Sequence, residues 1–354
     1  MRFFLYVNPQ TPGGAEDARV LERMTQHALY ADRHGFEALC ITEHHFTDYN
    51  TFGHAFMYAS YLAPQLQQAT IILTATIPAL QNPMELAQKA NLLDQLTRGR
   101  CIIGFATGGS PTEFMGLGRD PTQRRELMLE VIDIVRKAWA KKPQDPHLEY
   151  RTAHDHGVLT HRIMPAPYQK AEPRIGRAST SEEGMAWAAQ EGVPWFFGRY
   201  MPDDVKRLLQ GYADRMRQAG YPEERVQYCL DWTVFQKLVY VAPTDEEAYA
   251  DIEAPLAFYG SNFKIAYPPD SPKDMSLDSG TERPKMGVRA IDRDEFVKRA
   301  MVVGSPETVR RVLQQYADAG VRGFTGAFYF GDMDPDKLDR STRLFVEQVM
   351  PHFR

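Results

Sequence analysis

Hydrophobic positions along the chain follow two alternating rhythms, short continuous apolar runs and longer stretches with apolar residues every three or four positions. RFFLYV opens the series as a run of the first kind, the pattern of a strand buried on both faces. From about Ala15 to His34, Val20, Met24, Ala28 and Ala31 recur at helical steps, and Gly35 predicts the helix end. The alternation repeats with EALCITEHHF as a strand, a helix around Phe56 to Leu66, and TIILTATIPAL as a strand. A helix from Pro83 through Leu96 places Leu86, Ala90 and Leu93 on one face, and Arg98-Gly99-Arg100 turns the chain into the strand CIIGFATGG. After a helix from Thr122 to Trp139, the rhythm breaks at Lys141 into a Pro- and His-rich stretch ending at Pro173. It resumes with RIGRAST, a helix from Glu182 to Gln190, the strand VPWFFGRY, a helix from Asp203 to Ala219, YCLDWTVFQKLVYVA as strand material, and FTGAFYF as the last strand.

Strands separated by helices predict βα units and a parallel sheet. A doubly wound open sheet would carry a glycine-rich nucleotide loop in its first turn, and the segment from Asn8 to Gly14 is too broken by Pro9 and Pro12 to make one. About eight strand candidates favour an α/β fold of the (β/α)8 type, a TIM-like barrel, whose usual ~250 residues leave roughly 100 of this chain for insertions. Two segments hold that excess: about 141 to 173, after strand four, and about 255 to 292, before strand eight, where Pro268, Pro269, Pro272 and Pro284 interrupt any regular element. The late segment reads either as a mobile active-site lid or as a passive surface excursion. No repeat or low-complexity tract divides the chain, which predicts a single domain over residues 1 to 354.

Composition narrows the function classes. No apolar stretch approaches the ~18 residues needed to cross a bilayer, and MRFFLYVNPQ reads as a first strand rather than a signal peptide. Forty-one basic and 46 acidic residues give a net charge of −5 with the signs interspersed, which argues against a nucleic-acid partner. Cys40, Cys101 and Cys229 are widely spaced in apolar contexts and predict reduced thiols, hence a cytoplasmic protein.

In such a barrel the reacting groups sit at the C-terminal strand ends. Strand two ends in Glu43-His44-His45-Phe46, strand three carries Thr74-Ala75-Thr76, strand four ends in Ala106-Thr107-Gly108-Gly109, and strand five in Ser179-Thr180-Ser181. Strand alternation would send His44 and His45 to opposite sides, so one of them is expected to face the mouth. The pair admits three readings: hydrogen-bonded structural histidines, a metal site that lacks an evident third ligand, or general acid/base chemistry by one imidazole. Arg125 opens the helix after strand four, and Ser181 with Gly184 opens the next, a placement suited to a phosphate. Against that, Glu182 and Glu183 in the same first turn would repel an anion, and a Ser before Glu-Glu is also an ordinary helix cap. Trp195, Phe196 and Phe197, with Trp232 and Phe235, either line an apolar pocket at the mouth or fill the core. The glycines of FATGGSP are followed by Pro111 rather than by a helix start, and no nucleophile elbow, P-loop or dinucleotide fingerprint is present.

Four motifs in order, YADRHGFEALCITEHHF, LTATIPALQNPMELAQKANLLDQLTRGRCIIGFATG, STSEEGMAWAAQEG and MVVGSPETVRRVLQQYADAGV, span nearly the whole chain. Through them the sequence resembles the bacterial-luciferase-like flavin-dependent monooxygenases. The resemblance implies a TIM-like barrel that binds FMN at its C-terminal face, receives it reduced from a separate flavin reductase, and uses O2 as co-substrate through a C4a-peroxyflavin. It implies a small organic, largely apolar substrate and a homodimer formed through helices two and three, where Phe56, Tyr58, Tyr61 and Leu62 either form an apolar outer face or face the barrel.

Site residues carry over by position. The histidine matching His44 works beside the reactive part of the flavin, with Glu43 and His45 around it. The pair matching Thr74 and Ala75 is joined in many members by a non-prolyl cis peptide under the ring, and the position of Ala106 lies close to the ring. Phosphate contacts match Arg125, Thr180, Ser181 and Gly184, and Trp195, Phe197 and Trp232 are expected in the substrate pocket. Two departures stand out. Thr107 replaces a second arginine, and Gly184 replaces a hydroxyl-bearing residue, so Arg119 and Arg124 would have to compensate or FMN affinity would be modest. Within the same superfamily the alternatives are hydride transfer with the deazaflavin F420 and a non-catalytic flavin-binding subunit; the two glutamates opening the strand-five helix disfavour the long anionic tail of F420.

Overall fold

A computed structural model of the chain describes residues 1–266 and 293–354. In chain order its elements are β1 (Arg2–Val7), α1 (Asp17–Arg33), β2 (Ala38–Ile41), α2 (Ala55–Leu62), β3 (Thr70–Thr76), α3 (Pro83–Thr97), β4 (Cys101–Phe105), α4 (Pro111–Gly116) and α5 (Arg124–Ala140). The insertion follows as β5 (Leu148–Arg151) and β6 (His156–Leu159), an antiparallel hairpin. Next come β7 (Ile175–Ala178), α6 (Glu182–Gln190), β8 (Trp195–Gly198), α7 (Pro202–Gln218), α8 (Glu223–Asp231) and β9 (Val234–Val241). The chain ends with α9 (Asp245–Asp251), α10 (Glu253–Ala266), α11 (Arg293–Ala300), β10 (Met301–Gly304), α12 (Pro306–Asp318), β11 (Gly323–Ala327) and α13 (Pro335–Leu344).

Eight parallel strands, in the order β1, β2, β3, β4, β7, β8, β9, β11, close into a cylinder through the β11–β1 pair. The expected (β/α)8 barrel is thus the fold, with helices around a closed parallel sheet. Strand alternation divides the apolar residues into two sets. Phe4, Ala38, Cys40, Ile72, Ile102, Phe196 and Val234 meet inside the cylinder, whereas the larger cluster lies between the strands and the surrounding helices. The lower end is stoppered by Trp232, whose ring stacks on Phe4 at 5.9 Å and lies 4.2 Å under the Arg2 guanidinium.

Several expectations change in the folded chain. YCLDWTVFQKLVYVA is not one strand: Tyr228, Cys229, Leu230 and Asp231 end α8, and extended backbone begins only at Val234. The acidic pair Glu223-Glu224 stabilises the first turn of that helix, and the β-branched and aromatic run that suits a strand starts after it. A helix does begin at Pro111, because proline at the first helical position loses no intrahelical hydrogen bond. MVVG forms β10, which pairs with β9 alongside the cylinder. Of the segment 255 to 292, residues up to Ala266 belong to α10, and the four prolines beyond lie outside the described residues. On α2, Phe56, Tyr58 and Leu62 are buried within the chain, leaving Tyr61 and Met57 exposed, so of the two readings three of the four residues take the inward one and Tyr61 the outward one. Among the described residues no helix is long and apolar enough to cross a membrane.

The barrel interior is filled up to the level of Phe196. A Cβ at Gly104 would overlap the Leu73 carbonyl oxygen and meet the Phe196 ring, and backbone cannot yield as a flexible side chain would. Gly104→Ala is therefore expected to destabilise the protein by about 1–3 kcal/mol, the usual cost of overpacking, read as a lower denaturation midpoint; an unchanged midpoint would refute this account of the core.

Candidate active site

Each strand delivers its last residues to the same rim, so side chains distant in sequence converge there. Beyond Ile41 the chain leaves the sheet, and Thr42 ties the exit: its hydroxyl donates to the Val7 carbonyl at 3.0 Å and to Asn8 Oδ1 at 2.9 Å. Glu43, His44 and His45 thus stand in irregular backbone rather than in a strand, and simple alternation does not govern them. One buried carboxylate, Glu113 on α4, gathers both histidines. Its Oε1 lies 2.8 Å from His44 Nδ1 and accepts from the His45 N–H at 3.2 Å. With Nδ1–H held by a carboxylate, the neutral His44 ring has its acceptor nitrogen at Nε2. The His44 ring also meets Tyr49 edge-on at 5.1 Å.

Glu43 does a different job. Its Oε2 accepts from the Ala55 N–H at the start of α2, 3.0 Å away, and its Oε1 lies 3.6 Å from His45 Nε2. Burial works against charge on His45, and the Glu43 and Glu113 carboxylates together outweigh it, leaving the imidazole above its ordinary pKa. Glu113 Oε2 is buried with no hydrogen-bond partner. Among the described residues no group of three His, Cys, Asp or Glu side chains is arranged to hold a metal.

Beside this cluster the Thr74–Ala75 peptide is cis, at the point where the β3–β4 register shifts. Thr74 Oγ1 donates to the Ile41 carbonyl at 3.4 Å, and the Ala106 N–H donates to the Thr76 carbonyl at 3.0 Å, so Thr74, Ala75 and Ala106 share one stretch of rim with His44.

The next stretch is shaped to hold an anion. Ser179 Oγ accepts from the Ser181 N–H at 3.1 Å, and Ser181 Oγ caps α6 by accepting from the Gly184 N–H at 3.1 Å. Glycine at 184 has a steric cause: a Cβ there would overlap the Ser179 side chain, so the Ser179 hydroxyl occupies the space of the one missing at 184. The two glutamates are turned outward and paired, Glu183 with Arg125 and Glu182 with Arg215. Thr180 is exposed, and its carbonyl accepts from the Tyr200 hydroxyl at 3.2 Å. Beneath them lies Arg177, a buried cation whose guanidinium donates to the carbonyls of Phe105 and Ala178 at 2.9 and 2.7 Å. Burial, with Arg125 nearby, pushes its pKa down to about 10. Arg119 is spent elsewhere, paired with Asp155 at 3.0 Å. Two arginines, two hydroxyls and a helix start fit a phosphate monoester.

The aromatic expectations need correction. Trp195 and Phe197 take the outward positions of β8, stacked at 4.0 Å within the layer between sheet and helices, and Phe235 packs there too. Trp232 precedes β9 and sits at the opposite end of the cylinder from His44. Of the five rings Phe196 faces the interior, and Trp232 closes it from the lower end. Sequence reasoning also passed over Glu113 and Arg177. A charged residue inside the apolar strand RIGRA was the available signal for Arg177, whereas nothing local marked Glu113.

The luciferase-like monooxygenase family model matches residues 1–323. The alkanal monooxygenase alpha chain of Photorhabdus luminescens is 22% identical over 369 residues, covering 100% of this chain and 97% of that one. Among solved structures, monooxygenase RslO1 from Streptomyces bottropensis superposes with a TM-score of 0.82 at 21% identity, covering 100% of both chains. The FMN complex of the oxygenating constituent of 3,6-diketocamphane monooxygenase from Pseudomonas putida gives 0.76 at 19%, covering 99% of this chain and 98% of that one. An F420-dependent secondary alcohol dehydrogenase shares the fold at a TM-score of 0.71 and 17% identity, covering 100% of this chain and 99% of that one.

Behind the rim, Lys237 on β9 is fully buried with its ammonium donating to the Arg299 carbonyl. Burial, with Arg199 nearby, pushes its pKa down to about 7. Between about pH 7 and the ordinary lysine range, the folded protein therefore binds fewer protons than the unfolded chain, and this group makes stability rise with pH across that window. Lys237→Met is expected to flatten that rise in denaturation midpoints measured from pH 6.5 to 10; an unaltered profile would show that Lys237 is not its source.

Proposed function

Because the chain belongs to the luciferase-like monooxygenase family, we propose that it is a two-component monooxygenase that uses reduced FMN and O2 to oxygenate a small, largely apolar organic substrate. The observation that carries this reading is His44 braced on a buried carboxylate on the same rim as the Ser179–Ser181 cradle. When bound, the reduced flavin supplies two electrons to O2, so that one oxygen atom is transferred and the other leaves as water.

The protein's part is positioning and proton control. Ser179, Ser181 and the α6 N-terminus, with Arg125 and Arg177, hold the phosphate, and Thr180 and Gly184 contribute through the backbone they shape. Arg125 exchanges its Glu183 partner for the anion, a substitution of one charge-assisted contact by another that favours modest affinity. This suits a flavin that arrives reduced from a separate reductase and departs after turnover. Thr74, Ala75 and Ala106 form the ring's bed. Glu113 fixes the His44 ring so that Nε2 accepts a proton from, or returns one to, the reacting oxygen. Glu43 and His45 keep the loop rigid through the α2 cap. A homodimer would cover the exposed Met57 and Tyr61 of α2 and Leu92 and Leu96 of α3, and the enzyme would act in the cytoplasm.

Anaerobic titration with reduced FMN and with reduced F420, followed by rapid mixing with oxygen, tests the cofactor assignment. Reduced FMN is expected to bind and F420 is not; the reverse would replace this reading with hydride transfer. His44→Ala and Glu113→Ala are expected to leave FMN affinity within a few fold while lowering oxygen transfer to an organic acceptor by about 10²-fold or more, the usual worth of a positioned proton-transfer group. Transfer at the wild-type rate in the folded, FMN-binding variants would remove His44 from the chemistry. Arg177→Met is expected to weaken FMN binding by about tenfold, as the loss of a charge-assisted contact; unchanged binding would place the phosphate elsewhere.

A further inference from the structure

The rim holds a second concentration of positive charge, away from the phosphate cradle. Arg199 follows β8 with its backbone in the left-handed region, at φ 67°, which non-glycine residues seldom adopt. Its N–H donates to the Gln236 carbonyl of β9 at 3.1 Å. The guanidinium donates to the Tyr259 hydroxyl of α10 and stands 5.6 Å from that ring and 5.9 Å from the Phe296 ring. The Tyr259 and Tyr49 hydroxyls lie 3.0 Å apart, and Tyr49 meets the His44 ring. Arg199 is thus joined to the catalytic histidine through two phenols. Its partners come from β9, the loop after β2, α10 and α11, none of them from α6.

An arginine remains charged whatever its surroundings, and Arg199, half-buried at the rim, is left with fork donors that a charged acceptor would satisfy. Among the described residues no carboxylate lies within 4.0 Å of Arg199. Lys237, a base whose charge burial disfavours, also lies in its field. Gln236, buried beside it, has an amide nitrogen with no hydrogen-bond partner. Tyr6, on the inward face of β1, adds a third phenol near the guanidinium. Every group here can donate, and none supplies negative charge. Among the described residues nothing supplies that charge.

Building on the monooxygenase reading above, we propose that this corner recognises a delocalised oxyanion on the organic substrate, a carboxylate or an acidic enol or phenol. Arg199 is the specificity-determining residue. Its planar fork takes two oxygens of such a group, as a lysine would not. The remainder of the substrate is apolar or aromatic. The anion is an anchor and takes no part in the bond changes.

Calorimetric titration of the full-length protein without flavin, using 2-naphthoate and its neutral isostere 2-naphthamide, reads this directly. The wild type is expected to favour naphthoate by about tenfold, the worth of a hydrogen-bonded charge pair. Arg199→Gln is expected to reduce that preference to less than twofold while leaving reduced-FMN affinity unchanged, so a failure here is separable from a failure of the flavin assignment. Arg199→Lys, which keeps the charge and the fold but loses the fork, is expected to retain only part of the preference. Equal binding of the two probes, no measurable naphthoate binding, a preference that survives Arg199→Gln, or displacement of naphthoate by stoichiometric inorganic phosphate would each overturn the proposal.

Discussion

Closure of the sheet governs everything else in this protein. Eight parallel strands with their hydrogen bonds satisfied around a cylinder leave one interior, and Phe4, Ile72, Ile102 and Phe196 fill it. Nothing can be bound inside that plug, and Trp232 seals the far end. Polar groups that must be dry but reachable are therefore confined to the C-terminal rim, where strands end and backbone becomes irregular. Glycines 104 and 176 belong to this constraint, since both leave room for the Phe196 ring.

At the rim the protein handles charge by pairing and by burial in different places. Glutamates 182 and 183, which would oppose an anion at the α6 N-terminus, are each held by an arginine from another helix, while Arg177 beneath them is bonded to carbonyls alone. Glu113 is a buried carboxylate whose partners are an imidazole and a backbone N–H. A buried charge with incomplete compensation is costly in a purely structural setting, and Glu113 and Arg177, each with a side-chain atom left unbonded, are two such groups. Groups of this kind gather at functional sites more often than elsewhere.

Much of this was legible in the amino-acid sequence. The alternation of apolar runs and helical periods determined the βα order and the barrel, because strands buried on both faces and helices buried on one leave distinct periodicities. The cap Ser181 and the helix it opens were readable because capping is local, and the clustering of Glu43, His44 and His45 at a strand end was readable because the end of an apolar run is. What tertiary structure alone decided is direction and partnership. Whether Trp195, Phe197 or Phe196 faces the interior depends on a strand register that composition leaves open, and a shift of one residue reverses all three. Glu113 reaches His44 across 69 positions of chain, and Arg199 meets Tyr259 across 60; no local pattern encodes a contact made only when the cylinder closes.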